Sequence, residues 1–294
     1  MRLLALAALG IALFFSTPGT GGAQEGCFSV LAADDLDCQP GACPGTLDAG
    51  GGVKFVLSPG LPGKKLLGPP ASWMKISLLD GDLTVRELPD SYYLGYARLD
   101  HNGAGYWMIG EYTGGMHCCA RYHFFARPSP GSPLRYIGTT AGSAQAIDEQ
   151  PFSCRSGSLY LEDQDTRFLS FHTSYAESAL YIPTHYRLTA AGLLTDNLPF
   201  KDKYLDEIQT VEAQIAAAAA GQKKPPEGLI GSEGLFSDEL GQLLVKRTIL
   251  YIYAREEKTA WQSLERDTAK HYRADGILPK IRQEIREILR EGPY

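Results

Sequence analysis

After its first fifteen residues the chain has no other long apolar run, and it has no cluster of lysine and arginine. A membrane-spanning helix needs about 20 consecutive apolar residues, so the rest of the sequence predicts no membrane span. A nucleic-acid interface needs a concentrated basic surface, whereas the formal net charge of this chain is -6. These two absences predict a soluble protein without a nucleic-acid partner.

Common catalytic motifs are missing as well. The chain has no Gly-x-Ser-x-Gly elbow, no P-loop, no His-Glu-x-x-His zinc motif and no Rossmann glycine run. Ser72 and Lys75 match a Ser-x-x-Lys acylation motif, but an offset of three residues puts them on opposite faces of the expected strand. His123 alternates with Tyr122 and Phe124, and is expected to line a sheet face rather than act as a base. The sequence therefore favours a protein that is not an enzyme.

Residues 1–23 have the three parts of a secretory signal peptide. A positive residue comes first, an apolar run of residues 3–15 follows, and small residues precede an expected cleavage after Ala23. The mature chain would keep about 270 residues and function in the periplasm or outside the cell. Lipid attachment at Cys27 is the alternative, although residues 24–26 match a lipoprotein signal poorly.

The mature chain divides by pattern into three parts. Residues 24–52 hold three cysteines, an acidic patch and a glycine run, and we expect an irregular segment that cross-links must order. Residues 53–199 have short apolar runs and frequent turn residues, as an antiparallel β domain does. Residues 200–294 change to a helical period. The predicted fold class is therefore α+β: an antiparallel sandwich, barrel or propeller-like sheet, then a helical region, with disulfides stabilising the fold.

The clearest β unit runs from Trp73 to Leu88. Apolar and polar residues alternate on both sides of Asp80-Gly81, a pair that suits a tight hairpin turn. Short apolar and aromatic runs indicate further strands at 92–99, 106–112, 121–126, 134–137, 159–161, 168–172 and 186–188.

Helical periodicity begins at Lys201 and first ends at Gly221. After a loop, Ser237 is the expected N-cap of a helix whose apolar positions continue for about thirty residues. Gly276 breaks this pattern, and Pro279 suits the first turn of a final helix. The apolar faces are expected to pack within the chain, and docking of a partner on them is the alternative.

The six cysteines fall into two groups of three: Cys27, Cys38 and Cys43, then Cys118, Cys119 and Cys154. An exported chain meets oxidising conditions, so all six are expected to pair. Parity requires at least one bridge between the groups in each of the 15 connectivities. Adjacent cysteines are too close for ordinary disulfide geometry. We therefore expect one of the adjacent pair to bond Cys154 and the other to bond an N-terminal cysteine, leaving two N-terminal cysteines for each other.

The string His117-Cys118-Cys119 also has functional interpretations. Zinc sites usually separate two cysteines by two or more residues, so that both can reach one ion. A thiol-redox site usually has a Cys-x-x-Cys motif, which the chain lacks. A structural role is favoured, and a redox or metal-binding site at His117, Cys118 and Cys119 stays as the alternative.

Two stretches resemble known families. Gly114-Gly115-Met116-His117-Cys118-Cys119 resembles a Gly-Gly-x-His-Cys-Cys signature of uncharacterised secreted bacterial proteins, which implies export and no particular activity. Asp100-His101-Asn102-Gly103 and Asp163-Gln164-Asp165 resemble the loops of FG-GAP-like propeller repeats. That resemblance implies calcium bound by Asp100, Asn102, Asp163 and Asp165. The residues themselves favour ordinary turns, because oxygen ligands are few and Arg167 follows the second loop.

The sequence thus predicts an exported, non-catalytic binding or structural protein of the periplasm or cell exterior. Its partner would be an envelope protein or ligand, and no cofactor is expected. An exported thiol-redox or metal-binding protein is the first alternative, and a calcium-dependent adhesion or binding domain is the second.

Overall fold

The computed structural model describes residues 27–35, 45–59, 73–112, 120–140, 152–173, 178, 180–221, 238–272 and 277–290. It confirms the α+β fold class, with antiparallel sheets followed by helices. The strands are β1 (Ser29–Asp35), β2 (Thr46–Asp48), β3 (Val53–Pro59), β4 (Trp73–Asp80), β5 (Leu83–His101), β6 (Ala104–Tyr112), β7 (Ala120–Arg127), β8 (Arg135–Thr139), β9 (Phe152–Arg155), β10 (Ser158–Gln164), β11 (Pro183–Thr189) and β12 (Gly192–Thr195). The helices are α1 (Lys201–Gly221), α2 (Glu239–Tyr253), α3 (Glu257–His271) and α4 (Ile277–Arg290).

Strands β1 to β8 form one eight-stranded antiparallel sheet that curls on itself. Its order is β2-β3-β4-β5-β6-β7-β8, and β1 pairs with the part of β5 that extends beyond β4. Phe55, Ile76, Trp107 and Phe125 come from four different strands and share one buried core on the inner face. The curl allows the sheet to surround a core of its own, as a barrel does.

Polar contacts across the inner face hold the curl. The indole of Trp107 on β6 donates to the carbonyl of Ala49, before β3, at 3.0 Å. The guanidinium of Arg127 on β7 bonds to Asp80 on β4, and Asp80 also accepts from the backbone N–H of Leu134 at 2.9 Å. Because these contacts join strands that are not neighbours in the sheet, they fix how far it bends.

Strand β6 is buried on both faces. Successive residues of a strand point to opposite sides, so Trp107 and Ile109 enter the inner core, while Tyr106 and Met108 enter a second core on the outer face. The second core lies against strands β10 and β11, which contribute Leu159, Leu161, Tyr186 and Leu188.

The two ends of the curled sheet carry different connections. At one end, the turn end, adjacent strands are joined by two to seven residues. Gly81 and Gly103 lie in the two tightest of these turns, with φ values of 62° and 78° that favour glycine. At the other end, the loop end, connections of seven to thirteen residues leave the strands.

The pairing register shows that the loop end is one edge of the structure. Trp73 at the start of β4 pairs with Tyr92, Tyr92 pairs with Tyr112 at the end of β6, and Tyr112 pairs with Ala120 at the start of β7. Strand β8 ends beside them, because Thr139 pairs with His123. The chain between these strand ends comprises residues 36–44, 60–72, 113–119 and 141–151, which lie outside the described residues.

The second sheet lies between the first sheet and the helices. It has the order β12-β11-β10-β9. One face closes the second core, and Tyr160 on the other face joins a third core with Tyr204, Leu244 and Ile285 of the helices. The chain therefore changes from strands to helices at Lys201, but one buried core includes residues from both sides of that change.

A buried ion pair fastens the helices to the second sheet. Asp165, just after β10, accepts from the guanidinium of Arg167 at 2.6 Å and from the hydroxyl of Tyr253 on α2. Arg167 also donates to the carbonyl of Ile288 on α4 at 3.0 Å.

Among the helices of the described ranges, none has the length and apolarity needed to cross a membrane.

The expectation that residues 24–52 are irregular was wrong for the described part of that segment. Residues 29–35 form β1, and residues 46–48 form β2. β1 pairs with a stretch of β5 that lies 60 to 71 residues later, from Ser29 opposite Asp100 to Asp35 opposite Gly95. The backbone hydrogen bonds of β1 are made with this distant stretch, so the sequence around residues 29–35 alone did not indicate a strand.

Three smaller expectations were also wrong. The expected strand at 168–172 begins in a 3-10 helix at Thr166–Phe168, which Asp165 caps at its start. The expected long helix is two helices, because Arg255 between α2 and α3 adopts a φ of 61°. Asp238 rather than Ser237 caps α2, its carboxylate accepting from the N–H of Gly241 at 2.9 Å.

Candidate functional site

A buried acidic residue and a histidine lie close to the loop end of the curled sheet. Glu111 is the penultimate residue of β6, and His123 is the fourth residue of β7. Alternation places Glu111 on the same face as Ile109, and His123 on the same face as Phe125, which is the inner face. Two polar side chains thus replace apolar ones where the inner core approaches the loop end.

The two side chains bond directly. Nε2 of His123 donates to Oε2 of Glu111 at 2.8 Å, and the side chains are only 8% and 7% exposed. The hydroxyl of Tyr136 on β8 lies 3.5 Å from the other ring nitrogen. The guanidinium of Arg86 covers the Tyr136 ring at 3.9 Å. Strands β5 to β8 therefore all contribute to one polar cluster, which we name the Glu111–His123 cluster.

The cluster stabilises a charged carboxylate. Burial would raise the pKa of Glu111, but hydrogen bonds from His123 and Ser91, with the charges of His123 and Arg121, lower that pKa below its ordinary value. Burial raises the pKa of Tyr136 and of the nearby Tyr93, so both phenols keep their protons. Near neutral pH the cluster offers one carboxylate, one oriented imidazole and the neutral hydroxyl of Tyr136, while the hydroxyl of Tyr93 donates to the carbonyl of Pro89.

This arrangement is not that of a serine hydrolase. In such enzymes the histidine lies between the serine and the acid, and takes the proton of the serine. Here Ser91 contacts Glu111, and its hydroxyl lies 3.4 Å from the carbonyl of Tyr112. The second ring nitrogen of His123 faces a tyrosine. The described geometry is suited to hydrogen bonding, and it matches the expectation that His123 lines a sheet face.

A second cluster lies at the turn end. Cys27 and Cys154 are joined by a disulfide, with Cα atoms 6.2 Å apart. Nδ1 of His101 lies 3.4 Å from Sγ of Cys27 and 2.6 Å from the carbonyl oxygen of Cys27. The ligand-type atoms of the three residues lie within 4.8 Å of one another, in the one such group found among the described residues. We name it the Cys27–His101–Cys154 cluster.

Sheet pairing brings these three residues together. Ser29 pairs with Asp100, which puts Cys27 beside the β5–β6 turn where His101 lies. Cys154 on β9 pairs with Leu159, and Phe152 contacts Phe28 with ring centroids 6.2 Å apart. The cluster therefore joins the entry to the first sheet with the edge of the second.

The bridge confirms one prediction about the cysteines and corrects another. Cys27 and Cys154 belong to different groups, so the required bridge between the groups is present. The expectation that Cys154 bonds Cys118 or Cys119 was wrong, because its sulfur is bonded to Cys27. The sequence could not reveal that β9 lies beside the start of β1. Cys38, Cys43, Cys118 and Cys119 lie outside the described residues, as does His117.

The four residues predicted to bind calcium have other contacts here. Asp100 lies 3.6 Å from the guanidinium of Arg98, and the amide of Asn102 lies 3.1 Å from His101. Asp163 accepts from the N–H of Gln164 at 2.8 Å, and Asp165 accepts from Arg167 and Tyr253.

The single candidate group of metal-binding side chains found among the described residues contains none of these four. Calcium binding stays an untested prediction.

Comparison with known proteins adds nothing to this picture. No family model, no curated protein and no solved structure matches the chain. The resemblances to the secreted-protein signature and to FG-GAP-like repeats therefore stay predictions.

Proposed function

We propose that this chain is an exported, non-catalytic binding protein of the periplasm or cell exterior, with its ligand site at the loop end of the eight-stranded sheet. The observation that carries the proposal is the position of the Glu111–His123 cluster. It is a buried polar group close to the edge from which the long connections of that sheet leave. Ligand sites are frequent in the mouths of curled sheets, where loops are held on a rigid scaffold.

The chemistry of the cluster supports a binding role. A buried carboxylate and imidazole cost free energy that apolar residues of the same shape would avoid, and a ligand that bonds to them would offset part of that cost. Ile109 and Phe125 lie on the same face, two residues deeper on each strand. Both are fully buried, so the polar pair is the part of this face nearest the loop end, and a ligand with a hydrogen-bond donor would match its carboxylate.

The disulfide supports the exported location. Disulfides persist in oxidising compartments and are rare in the cytosol. Cys27 follows the expected cleavage site by only a few residues, and its bond to Cys154 ties the start of the mature chain to the β strands. The same bond leaves the Cys27 sulfur unavailable for lipid attachment.

Site-specific photo-crosslinking in cells tests the proposed site. The photoreactive residue p-benzoylphenylalanine is placed at Arg121, an exposed position at the start of β7 on the loop end. The matched control carries the same residue at Leu83, which is 76% exposed beside the β4–β5 turn on the turn end. Cross-linked species are identified by mass spectrometry of the cell envelope fraction.

The proposal predicts a discrete cross-linked product from position 121 and none from position 83. Its yield should fall when Glu111→Gln is added, since the carboxylate is part of the proposed site. Products of equal yield from both positions, or no product at position 121, would contradict a binding site at the loop end.

A further inference from the structure

We infer that Cys27, His101 and Cys154 form a binding site for a soft metal ion, zinc or copper(I), when their disulfide is reduced. This site lies at the turn end and is independent of the proposed ligand site at the loop end. It also differs from the alternative site at His117, Cys118 and Cys119.

The ligand atoms already have nearly the spacing that zinc requires. With Zn–S and Zn–N bonds of about 2.3 and 2.1 Å, a tetrahedral site puts sulfur and nitrogen about 3.6 Å apart and two sulfurs about 3.8 Å apart. Nδ1 of His101 lies 3.4 Å from Sγ of Cys27. Once the disulfide is broken, the two sulfurs need to separate by less than about 2 Å to reach tetrahedral spacing.

The surrounding structure holds the three residues without help from the disulfide. Cys27 is placed by the pairing of β1 with β5, and Cys154 by the pairing of β9 with β10. Phe28 and Phe152 contact each other next to the two cysteines. The amide of Asn102 donates to the carbonyl of Gly157 at 3.3 Å, which joins the β5–β6 turn to the β9–β10 turn.

His101 is oriented as a metal ligand usually is. Its ring is buried, and its second nitrogen, Nε2, lies 3.1 Å from the amide of Asn102. Metal-binding histidines normally have their other nitrogen fixed by a polar neighbour of this kind. In the disulfide form Nδ1 carries the proton and donates to the Cys27 carbonyl. Metal binding at Nδ1 moves the proton to Nε2, where the Asn102 amide, turned by half a rotation, would accept it and would give up its bond to Gly157.

The chemistry balances with a dithiol as the reductant. The Cys27–Cys154 bond accepts two electrons and two protons and becomes two thiols, while the dithiol becomes a disulfide. A divalent zinc ion then binds both sulfurs as thiolates and releases two protons to solvent. The oxidised cluster is a cross-link, and the reduced cluster is a metal site.

Protection from alkylation tests this inference on each cysteine of the full chain separately. Purified protein is reduced with tris(2-carboxyethyl)phosphine and treated with iodoacetamide, with and without zinc chloride. Peptide mass spectrometry then gives the alkylation rate of every cysteine. We expect zinc to slow alkylation of Cys27 and Cys154 together, by at least about tenfold, because a metal-bound thiolate is a poor nucleophile.

His101→Gln should remove most of this protection. The matched control, His172→Gln, replaces a histidine that bonds Glu284 elsewhere in the fold and should keep the protection. The inference is overturned if zinc leaves the rates at Cys27 and Cys154 unchanged in the wild-type protein. It is also overturned if His101→Gln protects these two cysteines as well as the wild type does.

Discussion

Buried ionisable side chains join separate elements of this protein in pairs. His123 on β7 bonds Glu111 on β6, and the fully buried Arg247 on α2 bonds Asp267 on α3 at 2.6 Å. A buried pair contributes little compared with apolar residues of the same shape, but removing one partner is costly. We expect these pairs to affect which elements lie together more than total stability.

Replacing His123 should destabilise the curled sheet strongly. His123→Ala leaves Glu111 buried without its main partner, so the free energy of unfolding should fall by about 3 kcal/mol. The double variant with Glu111→Ala should lose less than the sum of the two single changes, because no charge is then left unpaired. Urea denaturation of the four proteins measures both effects.

The control is an exposed pair on the same sheet. Nζ of Lys75 lies 2.6 Å from Oε2 of Glu87, and the two side chains are 40% and 57% exposed. Lys75→Ala should therefore lower the free energy of unfolding by less than about 1 kcal/mol. Equal losses for His123→Ala and Lys75→Ala would show that the buried pair has no special role.

The helices should lose stability in acid through Asp267. Burial alone would raise the pKa of Asp267, but hydrogen bonds and charges from Arg266 and Arg247 lower that pKa from 3.8 to about 2. The pKa of Asp267 is lower in the folded state than in the unfolded state. The stability that its charge contributes is therefore complete above the unfolded pKa and is lost as pH falls towards the folded pKa. The stability difference between wild type and Asp267→Asn should therefore be largest near neutral pH and shrink between about pH 4 and pH 2.

Asp206→Asn, an exposed change on α1, is the matched control. Urea titrations at pH 7, 4 and 2.5 should show no comparable pH dependence for this variant. A difference between wild type and Asp267→Asn that stays constant over the same range would contradict the assignment.

At the scale of elements, sequence patterns predicted the strands and helices whose formation depends on residues close together in the chain. The β4–β5 hairpin was predicted from alternation around Asp80-Gly81 and is confirmed. Helix α1 was predicted from Lys201 to Gly221 and is confirmed. Strand β1 was missed because its partner is distant in sequence, and the Glu111–His123 contact was missed because it depends on the register between β6 and β7. The break at Arg255 was missed because apolar spacing continues across it.

The N-cap of α2 gives a prediction at this scale. Oδ1 of Asp238 accepts from the N–H of Gly241 at 2.9 Å and from the hydroxyl of Tyr272 at 2.6 Å. Asp238→Ala should lower the free energy of unfolding by about 1 kcal/mol, because the first turn of α2 loses its acceptor. Asp238→Asn should lose less, since an amide oxygen can still accept. Thermal and urea unfolding compare the two, and equal losses would refute the capping role.

At the scale of the whole molecule, three cores follow one another: inside the curled sheet, between the two sheets, and between the second sheet and the helices. The Cys27–Cys154 bridge crosses from the first sheet to the second. It was predictable only as a bridge between two groups of cysteines, because its partners depend on how the sheets are stacked.

The bridge also restricts the remaining cysteines. Cys38, Cys43, Cys118 and Cys119 can form two bridges in three ways. One way joins the adjacent Cys118 and Cys119, which ordinary disulfide geometry disfavours. The two others join Cys38 and Cys43 to Cys118 and Cys119. We therefore expect two further bridges between these segments.

Non-reducing peptide mapping of the protein from the cell envelope tests the exported, cross-linked state most directly. Cleavage before aspartate separates Cys27 in residues 24–33, Cys38 and Cys43 in 37–47, Cys118 and Cys119 in 100–147, and Cys154 in 148–162. We expect fragment 24–33, beginning at Gln24, linked to 148–162, and fragment 37–47 linked to 100–147. A bond between 148–162 and 100–147, or an alkylatable thiol at Cys27, would contradict the account.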